Sequence, residues 1–155
     1  MRIKLAAVGK MRTGAEATLI KDYVARFDRT GRGLGLGPLD IVEVEAKKSG
    51  MVAEAELLSR ALGAGDPVCV LDERGKAMTS PDFADLLAGW RVQGRAEAAF
   101  VIGGADGIYP ALRASAHMSL SFGGMVWPHI LARVMLCEQL YRAVSILAGA
   151  PYHRN

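Results

Sequence analysis

The chain has 155 residues, of which 51% are hydrophobic and 23% charged, a composition that predicts one globular domain with a buried core. Its 18 glycines and 6 prolines form no low-complexity stretch, which excludes a fibrous or disordered chain. The net charge of +3, with 13 arginines and 6 lysines, weakly favours a polyanionic partner such as RNA.

The two cysteines, Cys69 and Cys137, lie inside apolar runs, where a free cysteine behaves as a small buried hydrophobe. Two cysteines are too few to stabilise a chain of this length through disulfide bonds, so we expect reduced thiols and a cytoplasmic location. The apolar run at residues 5–8 is far too short for a signal peptide. The longest hydrophobic region, from Ile130 onward, is interrupted by charged residues and predicts no membrane span.

Short apolar runs alternate with longer amphipathic stretches, which is the pattern of βα units around a mainly parallel sheet. We therefore predict an α/β fold. The predicted strands are residues 3–8, 39–44, 68–71, 98–102 and 118–122. The predicted helices are residues 13–27, 52–62, 81–92, 110–116 and 128–149.

Turn signals separate these elements. Four glycines within residues 31–37 predict a mobile loop, which we interpret as a solvated connector, although the flanking Arg29 and Arg32 leave an RNA contact open. Ser49 is the predicted N-cap of the second helix. Ser80, which is followed by a proline, predicts the start of the third helix.

In parallel α/β sheets the ligand lies beyond the carboxyl ends of the strands, so we expect chemistry after Leu71, Ile102 and Phe122. Glycine-bearing loops follow two of these positions, at residues 103–107 and 123–127. Glycine lets the backbone approach a ligand closely, which suits a nucleoside-like cofactor held by main-chain groups. The alternative is that each loop is a tight turn that needs glycine, but two such loops on neighbouring strands favour the cofactor.

Several common signatures are absent from the sequence. No loop reads G-x-G-x-x-G or ends in Gly-Lys-Ser/Thr, which disfavours a dinucleotide enzyme or an NTPase. The three histidines are widely spaced, and neither cysteine stands at a zinc-like interval from another ligand, so we assign no metal. The sequence also lacks a Gly-x-Ser-x-Gly elbow, so a triad hydrolase has no support.

The last predicted helix is apolar over much of its circumference, whereas a surface helix normally shows one apolar stripe. It is therefore either central to the domain or covered on its second face by another subunit, and we prefer a homodimer. Glu138 and Arg142 stand four residues apart on this helix, either as a simple ion pair or as part of a site.

The tail contains Tyr152, His153 and Arg154 in succession. An aromatic ring for base stacking, a titratable imidazole and a guanidinium for phosphate form a compact set suited to RNA. Composition alone favours the ordinary alternative, a frayed terminus.

Several segments, taken in order, carry a family resemblance. They are VIGGADG at residues 101–107, LSFGGMVWPH at 120–129, Arg133 with Val134, EQLYRA at 138–143, and the terminal Tyr152, His153 and Arg154. This set resembles the RlmH family of 23S rRNA pseudouridine N3-methyltransferases, a minimal group within the SPOUT superfamily. The likeness runs the length of the chain, which makes the ordered set far more specific than any single motif.

The resemblance implies an α/β, single-domain SPOUT methyltransferase over residues 1–155, with a mainly parallel sheet, a C-terminal deep trefoil knot and a homodimeric assembly. Periodicity gives no sign of a knot, since threaded chains are very rare. The implied cofactor is S-adenosyl-L-methionine. The residues implied to bind it are Leu71, Gly103, Gly104, Phe122, Gly123, Gly124, Met125, Val126 and Trp127.

The implied substrate is a pseudouridine in 23S rRNA, recognised on the assembled 70S ribosome, with no membrane or metal partner. The implied catalytic residues are Tyr152, which stacks on or orients the base, His153, which positions or deprotonates it, and Arg154, which contacts phosphate. The base that removes the N3 proton stays open between His153, a carboxylate and water. The implied substrate-binding residues are Arg133, Glu138 and Arg142.

Two other functions stay open. One is a SPOUT methyltransferase that acts on tRNA or on another rRNA site, which the terminal tripeptide and the small size of the chain disfavour. The other is a non-catalytic ribosome-associated or nucleotide-binding module that keeps the glycine loops but transfers no methyl group. The retention of both loops together with the tripeptide argues against such a module.

Overall fold

Strands and helices alternate along the chain as the hydrophobic pattern predicts. The computed structural model describes residues 1–48 and 50–154. The strands are β1 (Arg2–Val8), β2 (Leu39–Val44), β3 (Val68–Ala77), β4 (Glu97–Ile102) and β5 (Met118–Ser121). The α-helices are α1 (Ala15–Gly31), α2 (Met51–Ala61), α3 (Ser80–Val92), α4 (Pro110–Ser115) and α5 (His129–Leu147). Within these described ranges, none of the helices has the length and apolar character needed to cross a bilayer.

The five strands form one parallel sheet in the order β2-β1-β4-β3-β5, which confirms the α/β prediction. β4 lies at the centre, and its residues from Ala98 to Val101 are completely buried. Because helices cover both faces of a parallel sheet, a central strand has no polar side. This explains the uninterrupted apolar run in the sequence.

Three layers build the core. Helices α1, α3 and α5 cover one face of the sheet, and α2 and α4 cover the other. α5 packs against both α1 and α3, and its Leu136, Leu140 and Val144 are completely buried. The broad apolar surface of α5 is therefore explained largely by a central position, the first of the two alternatives, although Leu131 stays 38% exposed.

Cys69 and Cys137 are buried as free thiols, as predicted. Burial raises the pKa of each thiol to about 12. Both therefore stay protonated at neutral pH and pack as small hydrophobes.

β3 is longer than the predicted strand. Leu71 pairs with Leu120 of β5, the chain then bulges outward, and it returns so that Lys76 pairs with the same residue. Gly75 allows this return, because a Cβ there would lie 2.6 Å from the carbonyl carbon of Ser119. The bulge is charged and ends the apolar run, so the periodicity that predicts the first half of the strand cannot predict the second.

The predicted mobile loop is mostly a helical connection. α1 continues to Gly31, and a 3₁₀ turn over Arg32–Leu34 follows it. Leu36 is 1% exposed and belongs to the core. The packing of one apolar side chain thus outweighs the high glycine content of the segment.

The caps of two helices were predicted from serines. α3 is capped by Thr79 in place of Ser80: the Thr79 side chain accepts from the Asp82 amide, and the Asp82 carboxylate accepts from the Thr79 amide. Ser80 is the first residue of the helix and donates to Gln139 of α5 at 2.7 Å. The other predicted cap, Ser49, lies outside the described residues.

A buried arginine ties α5 to the carboxyl ends of β1 and β2. Arg133 is 2% exposed, and its NH2 group donates to the carbonyl oxygens of Val8 and Gly9, each at 3.1 Å. Its NH1 group pairs with the Glu43 carboxylate at 2.9 Å. Arg133 is one of the implied substrate-binding residues, but a guanidinium enclosed in this way is not open to RNA in the described chain. Its contacts instead set where α5 crosses the sheet.

Replacing Arg133 by methionine is expected to destabilise the fold by about 3 kcal/mol, because a buried network loses one partner and two carbonyl oxygens lose their donor. Urea unfolding followed by circular dichroism measures this change. The matched control is Arg2→Met, which breaks an exposed pair with Asp40 between the same two strands and should leave the midpoint nearly unchanged. Equal effects of the two substitutions would contradict the anchoring role.

Candidate functional site

A cleft of about 900 Å³ opens at the carboxyl ends of β3, β4 and β5, where the topology predicts a ligand. Of the residues predicted to bind a cofactor, Gly124 does not line it. Those that do are Leu71, Gly103, Gly104, Phe122, Gly123, Met125, Val126 and Trp127. Further walls come from the bulge of β3 and from the starts of α4 and α5, with Asp72, Glu73, Arg74, Pro110, Arg113, His129 and Ala132.

The first glycine loop closes in a tight turn. The amide of Gly107 donates to the carbonyl of Gly104 at 3.0 Å, and Gly107 has a φ of 83°. A Cβ on Gly103 would lie 2.5 Å from the carbonyl oxygen of Gly107, so a side chain does not fit there. The two interpretations of this loop are therefore compatible, because the tight turn itself forms a wall of the cleft.

A carboxylate lies behind this loop. A Cβ on Gly104 would lie 2.9 Å and 3.1 Å from the two carboxylate oxygens of Glu54. One of them, Oε2, is buried and has no hydrogen-bond partner within the described chain. Glu54 stands on α2, outside every motif, so no signal in the sequence points to it.

Asp72 directly follows Leu71 and has a side chain that is 7% exposed. Burial opposes ionisation, but hydrogen bonds from the Arg74 amide at 2.8 Å and the Arg113 guanidinium at 3.1 Å outweigh it, so the pKa of Asp72 is lowered. Asp72 is therefore ionised at neutral pH and forms ion pairs with Arg74 and Arg113, which line the same cleft. Asp72 is not among the site residues predicted from the sequence, although its place at the end of an apolar strand is a signal for one. Over the described residues, no group of three or more possible ligands is placed to hold a metal ion.

The second glycine loop is exposed and apolar. Met125, Val126 and Trp127 are 76%, 79% and 44% exposed. The start of the loop is held by Ser121, whose hydroxyl accepts from the Gly123 amide at 3.1 Å. Exposed apolar residues beside a cleft indicate a surface that a ligand or a partner covers.

The tail folds back onto α5, in contrast to the frayed terminus that composition favours. The phenol of Tyr152 donates to the Glu138 carboxylate at 2.9 Å, and its ring packs on Tyr141 with centroids 4.6 Å apart. Arg142 pairs with the same carboxylate at 2.6 Å, lies 4.8 Å from the Tyr152 ring centroid, and has its NH1 group 3.2 Å from Nδ1 of His153. We call Glu138, Arg142, Tyr152 and His153 the tail cluster.

Glu138 is the acceptor that Arg142 and Tyr152 of the tail cluster share. Its hydrogen bond with Arg142 raises the pKa of that guanidinium. Burial, followed by the hydrogen bond to Glu138, raises the pKa of Tyr152. Tyr152 therefore stays protonated at neutral pH and serves as a donor. The pair at positions 138 and 142 is thus more than a simple helix ion pair, because it also holds the tail.

Within one chain the tail cluster lies apart from the cleft. Ala132, near the start of α5, lines the cleft, and Arg142 follows about 15 Å farther along the helix axis at roughly 1.5 Å per residue. The residues that line the cleft include no member of the tail cluster. Arg154, the third residue of the tripeptide, is exposed. The predicted catalytic residues and the predicted cofactor residues therefore form two separate sets in the described chain.

Comparison with known proteins identifies the family. A protein-family model described as "Predicted SPOUT methyltransferase" matches residues 1–153. The chain belongs to this SPOUT family. A protein of Ruegeria pomeroyi named "Ribosomal RNA large subunit methyltransferase H" is 66% identical over 155 residues, covering 99% of each chain. A protein of the same name from Dinoroseobacter shibae is 64% identical over 99% of each chain, which confirms the predicted RlmH resemblance.

Solved structures share the fold of this SPOUT chain. A probable methyltransferase from Bordetella pertussis Tohama I superimposes with a TM-score of 0.55 at 16% identity, over 92% of this chain and 96% of that one. A probable methylase family protein from Haemophilus influenzae Rd KW20 gives 0.52 at 13% identity, over 99% of this chain and 70% of that one. At such identities the likeness concerns the fold alone.

The two glycines after β4 are expected to differ in their tolerance of a side chain. In Gly103→Ala the new Cβ meets backbone, which costs about 1–3 kcal/mol of strain and should weaken binding of a methyl donor in the cleft by about 5- to 150-fold. In Gly104→Ala it meets only side-chain atoms, the carboxylate of Glu54 and a methyl group of Val8, which can shift more easily than backbone, so the loss should be smaller. Calorimetric titration of both variants, with melting curves to verify folding, measures the difference. Wild-type affinity in a folded Gly103→Ala protein would show that this turn does not shape the cofactor site.

Proposed function

We propose that the chain is an S-adenosylmethionine-dependent methyltransferase that methylates N3 of a pseudouridine in 23S rRNA on the assembled 70S ribosome. The observation that carries the proposal is the 66% identity, over 99% of both chains, to a protein named "Ribosomal RNA large subunit methyltransferase H". Because the substrate is ribosomal, we place the protein in the cytoplasm. The cleft and the tail cluster offer the chemistry that this reaction needs.

The cleft fits the proposed cofactor in size and chemistry. Its volume of about 900 Å³ is within the range of small-molecule sites, and Leu71, Ile102 and Phe122 offer apolar walls for an adenine ring. Gly103 is buried against the carbonyl of Gly107, and the half-buried Gly104 is the part of this turn whose backbone is open to the cleft. A sulfonium requires no phosphate cradle, and the Asp72 carboxylate at this wall is already paired with Arg74 and Arg113.

When bound, S-adenosylmethionine supplies an electrophilic methyl group. The residues of the chain have to hold N3 of the base in line with that group, about 3 to 3.5 Å from it, and this positioning alone removes much of the barrier. N3 of an imide also carries a proton that must leave before or during transfer. The exposed loop at Met125, Val126 and Trp127 is suited to cover the bound cofactor.

The tail is proposed to position the base. The ring of Tyr152 packs against Tyr141 and Arg142, which supports an orienting role for it over stacking on the base. Arg154 is exposed and offers a guanidinium to phosphate, whereas the guanidinium of Arg142 is engaged by Glu138. Phosphate contacts position an RNA ligand, and contacts to the base edge specify it.

A homodimer is proposed to complete the site. Within one chain the tail cluster is separated from the cleft by much of α5, so a second subunit would have to bring a tail to the cleft. The exposed apolar surface at Met125, Val126, Trp127 and Leu131 supports such an interface.

Membership of the SPOUT family also supports the proposal that the C-terminal segment is threaded through a deep trefoil knot.

Transfer of labelled methyl from S-adenosylmethionine to purified 70S ribosomes from a strain lacking the modification tests the function. We expect label on 70S particles, mapped by mass spectrometry to N3 of one pseudouridine, and little label on free 23S rRNA or tRNA. Arg154→Ala should lower the rate about tenfold through a lost phosphate contact. Arg60→Ala, which removes the same charge from the exposed end of α2, serves as the control and should have no effect.

The alternatives give different results in the same assay. Label on tRNA, or at another rRNA position, would favour a SPOUT methyltransferase of different specificity. Cofactor binding without transfer to any RNA would favour a ribosome-associated binding module. Either result overturns the proposed substrate.

Mixing two impaired variants tests the proposed composite site. Gly103→Ala impairs the cleft, and Arg154→Ala impairs the tail. If the tail acts across the interface, each mixed dimer regains one intact site, and an equal mixture should recover roughly a quarter of wild-type sites. The measurement is methyl transfer after joint refolding or co-expression, with each variant alone as the control. No recovery in verified mixed dimers would place both functions in the same subunit.

A further inference from the structure

The contact between Arg142 and His153 determines which ring nitrogen of the imidazole carries its proton. The NH1 group of Arg142 lies 3.2 Å from Nδ1 of His153. A guanidinium has only donors and stays protonated in proteins, so Nδ1 must be the acceptor in this contact. A neutral imidazole that accepts at Nδ1 carries its hydrogen at Nε2.

The guanidinium cannot readily turn away from this contact. Its Nε and NH2 groups donate to Oε1 of Glu138 at 3.1 Å and 2.6 Å, which leaves NH1 for the imidazole. The ring of Tyr152 lies beside the guanidinium, and its hydroxyl donates a hydrogen bond to Glu138. Turning the imidazole over would set a carbon against NH1, and a protonated Nδ1 would set a donor against a donor.

We propose that His153 serves the reaction as a neutral Nε2–H hydrogen-bond donor to a carbonyl oxygen of the imide, and that it is not the general base. This inference rests on the proposed function. N3 of the imide lies between two carbonyl groups, and negative charge moves onto their oxygens as the N3 proton leaves. A fixed donor aimed at such an oxygen stabilises the developing anion.

The same arrangement occupies both nitrogens of the neutral ring. Its Nδ1 lone pair faces Arg142, and its Nε2 already holds a hydrogen, so no lone pair is free for the N3 proton. That proton goes to solvent water. The N3 lone pair then forms the new bond to the methyl carbon, the carbon–sulfur bond breaks, and its electron pair leaves on the neutral sulfide.

The tautomer can be measured without any RNA. Long-range proton–nitrogen correlation spectra of the histidine-labelled protein, in mildly alkaline buffer, distinguish a hydrogen-bearing ring nitrogen from a lone-pair nitrogen. We expect Nε2–H for His153. His117 provides an internal reference, because its Nδ1 accepts from the Val68 amide at 3.0 Å and its hydrogen is therefore also at Nε2. Arg142→Met should shift His153, but not His117, toward a mixture of tautomers.

Side-chain replacements test the role in catalysis. In His153→Gln the amide N–H can reach the position of Nε2–H, but the side chain cannot act as a base at neutral pH. We expect kcat for His153→Gln to stay within about tenfold of wild type and kcat for His153→Ala to fall by about 10² to 10³, with smaller changes in KM. The shorter amide of His153→Asn reaches the Nδ1 position and should resemble alanine.

The outcomes separate this inference from the function on which it rests. Absence of methyl transfer by the wild-type protein would overturn the proposed function, whatever the spectra show. Normal transfer together with an Nδ1–H tautomer would overturn the donor role alone. Glutamine and alanine variants that are equally slow would also overturn it, since loss of a base affects both alike.

Discussion

The arrangement of the molecule depends on a buried cation. Arg133 places a guanidinium beneath the carboxyl ends of β1 and β2, where it meets two carbonyl oxygens and the Glu43 carboxylate. A charge at this depth is tolerated only where several acceptors surround it, so α5 has little freedom to slide along the sheet. The start of α5 at the cleft and its far end at the tail cluster are therefore positioned together.

The polar residues of α5 are few, and they specify the geometry of a largely apolar helix. Arg133 joins the helix to the sheet, and Gln139 accepts a hydrogen bond from Ser80 at the start of α3. Glu138 forms an ion pair with Arg142 and accepts a hydrogen bond from Tyr152. Apolar packing supplies most of the stability but tolerates sliding and rotation, whereas each hydrogen-bonded pair fits only one position. Several such contacts along one helix make the cleft and the tail parts of a single rigid unit.

The sequence predicts the parts of the structure that depend on local pattern. β2 and β4 lie where their apolar runs lie, and the loops after β4 and β5 meet at one cleft because parallel strands end at the same edge. The second half of β3 escapes prediction because it follows a charged bulge. The burial of Arg133 and the position of Glu54 depend on residues far away in sequence, and a single chain carries no record of those contacts. The folded-back tail cannot be predicted from the sequence either, because a frayed terminus could have the same composition.

The parallel sheet also affects how the chain reaches this state. Ile3 pairs with Leu39, Arg2 pairs with Glu97, and Cys69 pairs with Met118, so each of these ladders closes a long loop. The entropy of loop closure must be overcome before such pairings contribute stability, which makes folding slow for a domain of this size. During synthesis β1 would wait as an exposed apolar segment until β4, at the centre of the sheet, has emerged. We therefore expect nascent chains that end before Ile102 to be the species most prone to aggregate.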